Sequence, residues 1–361
     1  MELVVVMFKT TYECNARCSY CHMYKYADKR YISLDVVDKT LQRLEEYVKK
    51  EFLQKDKKVM IKYIWHGGEP LLMGDDFYKD VKKLIKKYEV LSKKVVSFHT
   101  MQTNFTLFHK HDYSEVVDLL NGNFGVSYDP FTNAKKLSLS AKAYKENFLK
   151  SMQKLKKLNA RASLIYVVTK ENVKKSKEFY YFVKNLGFES VEMDPVYGSD
   201  DSMTQEEFGE FLCDIWDLWR KDNYSVNFLV LKSWRYNIKG LRQSVGSHYG
   251  KGCIKNVFTI KPNGDILGCG KQEDKPFGNI YKDSFLDIEP KKREIVDSRL
   301  RYLLSSDDEC KGCKWWSLCY GECPFSTDES DIYTKTKAKW CKSYKMLFSY
   351  IETIENSVEV V

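Results

Sequence analysis

The chain has 361 residues, 43% of them hydrophobic and 30% charged, which is typical of a globular protein with one large domain and a smaller one. It contains no apolar run near the roughly 20 residues that span a bilayer and no signal-peptide pattern, so we expect a cytoplasmic protein without a membrane segment. Its net charge of +9 comes from lysines spread along predicted helices rather than clustered with aromatic residues, so we expect no nucleic-acid partner.

The first predicted strand leads into three closely spaced cysteines. The apolar run Leu3–Phe8 predicts a buried strand, and Cys14, Cys18 and Cys21 follow it at the spacing C-x3-C-x2-C. A compact loop with this spacing can aim three thiolates at one point, and such soft ligands select zinc, copper(I) or iron–sulfur clusters. On a four-iron cluster, three cysteines leave one iron without a protein ligand. A structural zinc site is the alternative, but it needs a fourth ligand, and His22 is poorly placed because it adjoins Cys21.

Predicted strands and helices alternate through the first two thirds of the chain. The strands are Leu3–Phe8, Val59–Trp65, Val95–Met101, Phe124–Asp129, Ala162–Val168 and Ser190–Asp194. The helices between them cover residues 34–52, 77–88, 116–120, 141–158 and 173–185, and a last helix begins at the capping box Thr204-x-x-Glu207. Six strand–helix units predict an α/β fold, a partial (β/α)6 barrel open on one side, with its chemistry at the carboxyl ends of the strands.

Glycine-rich or polar stretches follow three of these strands. Gly67-Gly68-Glu69-Pro70 comes after the second strand and His66, and Gln102-Thr103-Asn104 ends the third. Ser127 and Asp129 end the fourth. Glycine at the end of a strand lets the backbone approach a ligand closely. We therefore expect Gly67-Gly68-Glu69-Pro70 to lie close to a ligand at the carboxyl end of its strand.

A second group of cysteines occupies the last third of the chain. It consists of Cys253, Cys269, Cys310, Cys313, Cys319, Cys323 and Cys341. Within it, Thr259–Leu267 predicts a β-hairpin with a turn at Pro262, Asn263 and Gly264. Disulfides are not expected in a reducing compartment, so metal ligation is favoured, and two zinc sites are the alternative because C-x2-C pairs are typical zinc ligands. Cys213, inside a predicted helix, is most simply a buried small apolar residue.

The first cysteine loop and the motifs after it resemble the radical S-adenosylmethionine (SAM) enzymes. The loop, with the aromatic Tyr20 before its third cysteine, is followed in the family's order by a GGEP motif and a Q-T-N run. The resemblance implies that Cys14, Cys18 and Cys21 hold a [4Fe–4S] cluster whose free iron chelates SAM. It also implies a set of SAM-binding residues, namely Tyr20, His66, Gly67, Gly68, Glu69, Pro70, Gln102, Asn104, Ser127 and Asp129. Phe105 stands where many relatives have glycine, and Lys135 or Lys136 is a candidate for the arginine that often binds the SAM carboxylate.

The second cysteine group resembles the SPASM domain, a C-terminal extension that carries two auxiliary [4Fe–4S] clusters, which makes three clusters in all. The resemblance assigns Cys253, Cys269 and Cys323 to an inner cluster whose fourth iron is open or held by another side chain. It assigns Cys310, Cys313, Cys319 and Cys341 to the outer cluster. The predicted domains are a radical SAM barrel at 1–225, a linker or bridging helix at 226–252, and a cysteine-rich α+β SPASM domain with its hairpin at 253–361.

Together these resemblances imply an air-sensitive enzyme that cleaves SAM reductively to a 5′-deoxyadenosyl radical, which abstracts a hydrogen from its substrate. Because SPASM enzymes mostly modify peptides, the main expectation is cross-linking or oxidation of a ribosomally made peptide. The expected partners are that peptide, a separate leader-recognition protein where the peptide has a leader, and an electron donor such as flavodoxin or ferredoxin.

Three alternatives stay open. An anaerobic sulfatase-maturing enzyme would convert Cys or Ser to formylglycine, but in that group an Asp follows a hairpin cysteine, whereas Gly270 follows Cys269 here. A SAM-dependent dehydrogenase would act on a small metabolite. A non-enzymatic iron–sulfur carrier is the third alternative, and the stretches Gly67–Pro70 and Gln102–Asn104 speak against it.

Overall fold

The structure is a computed structural model that describes residues 1–21, 23, 28–88, 93–196, 198–241, 254–327 and 333–358. It divides into two compact units. The first unit consists of Met1–Ser127, Lys135–Ala162 and Ile254–Glu294, and the second of Tyr128–Ala134, Ser163–Cys253 and Ile295–Val361. Each unit is made of several separate segments of the chain, so the units do not test domain boundaries drawn along the sequence. The predicted boundaries at residues 225 and 253 stay a prediction.

Strands and helices alternate along the chain as expected. The strands are β1 (Glu2–Lys9), β2 (Ala16–Cys18), β3 (Val59–His66), β4 (Val95–Thr103), β5 (Asn123–Ser127), β6 (Lys135–Leu137), β7 (Arg161–Val168), β8 (Ser190–Pro195), β9 (Val257–Ile260), β10 (Asp265–Leu267) and β11 (Gly278–Asn279). The helices are α1 (Leu34–Val48), α2 (Asp75–Tyr88), α3 (Ser114–Leu119), α4 (Ala141–Lys157), α5 (Ser176–Leu186), α6 (Gln205–Lys221), α7 (Leu229–Ile238), α8 (Phe285–Ser306), α9 (Trp316–Cys319) and α10 (Cys341–Val358).

The first unit is built on a mostly parallel sheet in the order β11-β10-β9-β1-β3-β4-β5. Alternate residues of β1 and β3 are buried, so each strand gives one complete face to the core. The parallel register places Phe8 beside Trp65, and their rings stack with centroids 4.7 Å apart. This pairing brings the carboxyl ends of β1, β3 and β4 to one edge of the sheet, where the predicted motifs lie.

The predicted hairpin is present and belongs to this sheet. β9 and β10 pair antiparallel around a turn in which Gly264 has a φ of +84°, a left-handed conformation that favours glycine. β9 also pairs parallel to β1, with Val257 opposite Val5. The hairpin therefore continues the main sheet, which explains why residues 254–294 belong to the first unit.

The second unit packs helices around the parallel pair β7–β8. In α6, the Trp219 indole N–H donates to the carbonyl of Val226 at 2.6 Å, and the Phe208 ring lies 5.2 Å from that of Trp340. In α7, the Trp234 indole N–H donates to the carbonyl of Leu318 at 3.2 Å. Ring packing thus joins α6 to the cysteine-rich segment, and an indole hydrogen bond joins α7 to it.

Two helix boundaries differ from the sequence prediction for local reasons. α5 begins at Ser176 and not at residue 173, because the Asn172 side chain accepts from the Thr169 N–H at 2.7 Å and donates to the Val167 carbonyl at 3.1 Å. Such side-chain bonds to the backbone compete with helix formation. α1 ends at Val48 and continues as a π-helical turn, Lys49–Leu53, which keeps Phe52 buried.

Within the described residues, no helix combines the length and the apolar character that crossing a membrane would require.

The capping box of α6 provides a stability test. The Thr204 hydroxyl accepts from the Glu207 N–H at 3.1 Å, and the Glu207 carboxylate accepts from the Thr204 N–H at 3.0 Å. We expect Thr204→Ala to lower the free energy of unfolding by about 1 kcal/mol, because it leaves a helix N–H without its acceptor. The matched control is Thr353→Ala on the exposed face of α10, which should stay within about 0.5 kcal/mol of the wild type in denaturant unfolding. Equal losses in the two variants would contradict the capping role.

Candidate active site

The cysteine loop is held against the glycine motif by backbone hydrogen bonds. The N–H of Gly68 donates to the carbonyl of Thr11 at 2.7 Å, and the N–H of Glu69 donates to the carbonyl of Glu13 at 2.8 Å. A Cβ atom on Gly68 would lie 2.0 Å from the Glu13 oxygen, and one on Gly67 would lie 2.4 Å from the Thr11 oxygen. Only glycine fits at these two positions, and the close approach fixes the start of the cysteine loop over the end of β3.

Cys14, Cys18 and Cys21 lie on this short loop, and all three are partly buried. The Cys14 sulfur accepts from the N–H of Ala16 at 3.4 Å. Burial, and next the nearby Glu69 carboxylate, raise the pKa of the Cys14 thiol to about 12. A thiol in such a place ionises when a positive centre compensates its charge, as a bound metal does. The donor set therefore fits a thiolate-ligated cluster.

Asn104 connects the end of β4 to the cysteine loop. Its side-chain amide donates to the Cys14 sulfur at 3.6 Å and to the Asn15 side-chain oxygen at 2.8 Å. Its own oxygen accepts from the N–H of Thr106 at 2.9 Å, and the Asn15 amide donates to the Thr106 hydroxyl at 2.9 Å. Second-shell bonds of this kind orient a ligand and tune its basicity. The site around Cys14 is thus partly built before any cluster binds.

Glu69 joins the ends of β3 and β4. Its carboxylate accepts from the N–H of Leu71 at 2.9 Å, the hydroxyl of Thr103 at 2.6 Å and the N–H of Asn104 at 2.8 Å. The residue is fully buried, and burial raises the pKa of its carboxyl to about 7 despite these three donors. The Glu69 side chain therefore holds the ends of β3 and β4 together.

The other predicted SAM-binding residues lie on both units. Half-buried His66 ends β3, and its Nδ1 accepts from the Gly67 N–H at 2.6 Å. The Gln102 amide donates to the Ser127 hydroxyl at 2.8 Å, which connects the ends of β4 and β5. Pro70 begins a buried 3-10 turn, and Tyr20 is half buried on the cysteine loop. Asp129 belongs to the second unit, where its buried carboxylate accepts from the N–H of Val167 at 2.8 Å.

Phe105 occupies the position where many relatives have glycine, and the backbone explains the difference. Its φ is +63°, the left-handed region that favours glycine. Its ring is fully buried and stacks on Phe108 with centroids 4.7 Å apart. Aromatic packing thus holds a non-glycine residue in the conformation that the Q-T-N loop requires.

Four cysteines of the second unit line one pocket. They are Cys310, Cys313, Cys319 and Cys341, the set predicted for the outer cluster. Burial raises the pKa of Cys310 and of Cys319 to about 12. Burial also raises the pKa of the Cys341 thiol, and Lys345 and Lys337, which line the same pocket, oppose that rise. In the described ranges, no three His, Cys, Asp or Glu side chains already converge on a single metal-ion position. Four thiol donors and two cations around one pocket are the chemistry of a thiolate-ligated cluster.

The residues predicted for the inner cluster are divided between the units. Cys269 lies just after β10 in the first unit, and Cys323 is buried in the second. Cys253 lies outside the described residues. Cys213 sits in α6 and is half buried, not buried as predicted, and desolvation raises the pKa of its thiol to about 12.

Sequence patterns did not identify three polar residues near the cysteine loop. Lys9 at the end of β1 is fully buried, and its ammonium contacts the carboxylate of Glu273. The hydroxyl of Tyr12 donates to the same carboxylate at 2.6 Å. Lys9 could have been singled out in the sequence as a lysine at the end of an apolar strand. Nothing in the sequence distinguishes Glu273 from its neighbours.

The buried Glu69 carboxylate gives a pH-dependent test. In Glu69→Gln an amide N–H faces a backbone N–H, which should cost about 1–3 kcal/mol of unfolding free energy. The folded-state pKa near 7 lies above the ordinary value of 4.5, so the wild type binds more protons when folded and loses stability as pH rises through this window. The difference between wild type and variant should therefore shrink from pH 4.5 to pH 7 in urea unfolding of the metal-free protein.

The control for this test is Glu45→Gln, which removes an exposed ion pair with Lys49 and should change stability by less than about 1 kcal/mol at either pH. A Glu69→Gln variant whose stability loss is the same at both pH values would contradict the raised pKa.

Comparison with known proteins agrees with this geometry. Residues 8–183 match the model of the radical SAM superfamily, and residues 253–314 match SPASM, described as an iron–sulfur cluster-binding domain. A cysteine-type anaerobic sulfatase-maturating enzyme of Clostridium novyi is 26% identical over 93% of this chain and 91% of its own. A serine-type enzyme of Bacteroides thetaiotaomicron is 25% identical over 94% of this chain and 86% of its own.

Among solved structures, native anSMEcpe with bound AdoMet and Cp18Cys peptide has a similar fold. Its TM-score is 0.78 at 19% identity, and the match covers 99% of this chain and 100% of that one. The α/β fold with a SPASM extension is thus confirmed. The two matched domains together span two thirds of the chain, and such domains bind SAM and [4Fe–4S] clusters, auxiliary clusters among them. The chain therefore belongs to the radical SAM superfamily and is a radical SAM enzyme with a SPASM domain.

Proposed function

We propose that this enzyme oxidises a Cys or Ser side chain of a peptide substrate to an aldehyde, as an anaerobic sulfatase-maturating enzyme. The observation that carries the proposal is similarity to cysteine-type and serine-type maturating enzymes over more than nine tenths of the chain. This similarity runs through both cysteine groups and therefore covers the whole predicted site. It favours this activity over peptide cross-linking, the main expectation from the motifs.

The proposal includes three [4Fe–4S] clusters with the ligands predicted from the sequence. Cys14, Cys18 and Cys21 would hold the SAM-binding cluster, Cys253, Cys269 and Cys323 the inner auxiliary cluster, and Cys310, Cys313, Cys319 and Cys341 the outer one. The pocket formed by the last four cysteines and the hydrogen bonds to the Cys14 sulfur support these assignments. When bound, SAM and the clusters supply a 5′-deoxyadenosyl radical and an acceptor for an electron from the substrate.

Residues of this chain would bind SAM and orient the ligands of its cluster. Gly67 and Gly68 let the backbone of the motif approach the cysteine loop closely, and so would hold that loop beside the strand ends where SAM would bind. Gln102 and Ser127, fixed to each other, would present polar groups to SAM from β4 and β5. Asn104 would hold Cys14 in place through its amide.

One observation favours peptide cross-linking as a second candidate. Gly270 stands where sulfatase-maturing relatives have the Asp that is the proposed base. A Cβ atom at this position would lie 2.6 Å from the Met7 sulfur, so the space next to Cys269 is filled by a thioether and not by a carboxylate. An enzyme that forms a new bond between two peptide residues would not need that base in the same place.

Iron content tests the cluster assignment. Anaerobically reconstituted wild type should hold about twelve irons per chain, because each of three clusters contains four. Cys310→Ala/Cys341→Ala should lose about four of them, since two of the four ligands of the outer cluster are removed. Cys213→Ala is the matched control and should keep all of its iron. Zinc in place of iron, or unchanged iron in the double variant, would contradict the assignment.

Product analysis tests the reaction. We expect the enzyme, reduced by dithionite with SAM, to form 5′-deoxyadenosine and to convert a peptide thiol or hydroxyl into an aldehyde that a hydrazide reagent labels. The control enzyme is Cys14→Ala/Cys18→Ala/Cys21→Ala, which should form neither product because it lacks the SAM-binding cluster.

Paired peptides separate the two candidates. Peptides that carry Cys, Ser or Ala at one position should be modified only when the hydroxyl or thiol is present. A product that loses two hydrogens, becomes cyclic and resists hydrazide labelling would favour the cross-linking candidate and contradict aldehyde formation.

The remaining partners are part of the proposal. Electrons would come from a flavodoxin or ferredoxin, and a peptide that needs a leader could be presented by a separate recognition protein. Both expectations follow from the family.

A further inference from the structure

Lys9 is a buried cation that contacts both loops that the proposed function assigns to clusters. It ends β1 with no exposed surface. Its ammonium lies 3.6 Å from the sulfur of Met23, two residues after Cys21, and contacts the carboxylate of Glu273, four residues after Cys269. One side chain of the main sheet thus touches residues on the SAM-binding loop and on the hairpin loop.

Other contacts fix the same arrangement. The Tyr12 hydroxyl donates to Glu273 at 2.6 Å, and the Tyr12 ring centroid lies 5.8 Å from the Lys9 nitrogen. Met7, two residues before Lys9 on the same face of β1, fills the space beside Gly270. Lys9 is therefore held in a defined position between Met23 of the cysteine loop and Glu273 of the hairpin loop, and Cys269 and Cys21, when ionised, raise its pKa.

The burial of Lys9 has an energetic cost that its surroundings offset. Burial lowers the pKa of its ammonium to about 7, and neighbouring Lys261 lowers it further, whereas Cys269 and Cys21 in their anionic forms raise it. An ammonium in a medium of low polarity attracts anions strongly, so it favours added negative charge on both sides. The Glu273 carboxylate neutralises the Lys9 ammonium as long as the cysteines of the two loops are not ionised.

We propose that Lys9 is an electrostatic positioning residue shared by the SAM-binding cluster and the inner auxiliary cluster, and that its charge raises the reduction potential of both. The proposal rests on the cluster ligands of the proposed function. Cluster potentials depend on net charge, burial and hydrogen bonds around the sulfurs, and a nearby cation stabilises the more negative, reduced state. Glu273 acts in the opposite sense, because its carboxylate opposes the charge of Lys9.

Lys292 is the matched control, a buried lysine that faces only one of the two sites. It lies on α8 with no exposed surface, donates to the carbonyl of Val257 and sits 3.6 Å above the centre of the Phe258 ring. Burial lowers its pKa well below the ordinary value, and the nearby Glu289 and Cys269 raise it. Its removal should therefore affect the inner auxiliary cluster alone.

The test is anaerobic redox titration of the reconstituted holoenzyme followed by electron paramagnetic resonance. The SAM-binding cluster is identified by the change in its spectrum when SAM is added. The auxiliary clusters are measured in a background that lacks Cys14, Cys18 and Cys21. Lys9→Met, Glu273→Gln and Lys292→Met are compared with the wild type, and Glu273→Gln protects the test against misfolding because its amide keeps the contacts to Lys9 and Tyr12.

We expect Lys9→Met to lower the midpoint potential of both clusters and Glu273→Gln to raise both. At the wild-type midpoint, the ratio of reduced to oxidised cluster should change about tenfold, which corresponds to about 59 mV for one electron. Lys292→Met should lower only the potential of the inner auxiliary cluster.

Two results would overturn the inference about Lys9, and only the second would also overturn the cluster assignment. Unchanged potentials in Lys9→Met and Glu273→Gln with normal iron content would reject the role of Lys9 and leave the proposed function intact. Absence of iron from the wild-type Cys14 or Cys269 site would reject both the cluster assignment and this inference.

Discussion

The close backbone contact between the cysteine loop and Gly67–Gly68 is the constraint on which the first unit depends. Two N–H groups after β3 donate to carbonyls after β1, at 2.7 and 2.8 Å, and no side chain fits between the two segments. This contact brings three thiols, two asparagine amides and the buried Glu69 to the same edge of the sheet. Loss of it would separate the cysteine loop from the strand ends that form the rest of the site.

Much of the fold could be predicted from sequence because its local signals agree with one another. The apolar alternation of β1 and β3, the Ser33 and Thr204 caps and the hairpin turn at Gly264 all specify what the structure contains. The start of α5 was not predictable from hydrophobic spacing, because it depends on hydrogen bonds from Asn172 to the end of the preceding strand.

The candidate site divides in the same way. The resemblance to the SPASM domain predicted the set Cys310, Cys313, Cys319 and Cys341, and these four cysteines line one pocket in the structure. Lys9, Glu273 and Tyr12 were not predictable, because their contact joins residues more than 250 positions apart through the pairing of β1 with β9. Glu69 was predicted as a SAM-binding residue, a role that stays a prediction. In the structure its side chain joins two strand ends.

The pairing of β9 with β1 makes an early strand of this chain depend on a much later one. Without residues 254–267, the main-chain donors and acceptors along one side of β1 would face water, and such an open border invites aggregation. The radical SAM segment of this chain therefore needs the hairpin for a fully paired sheet.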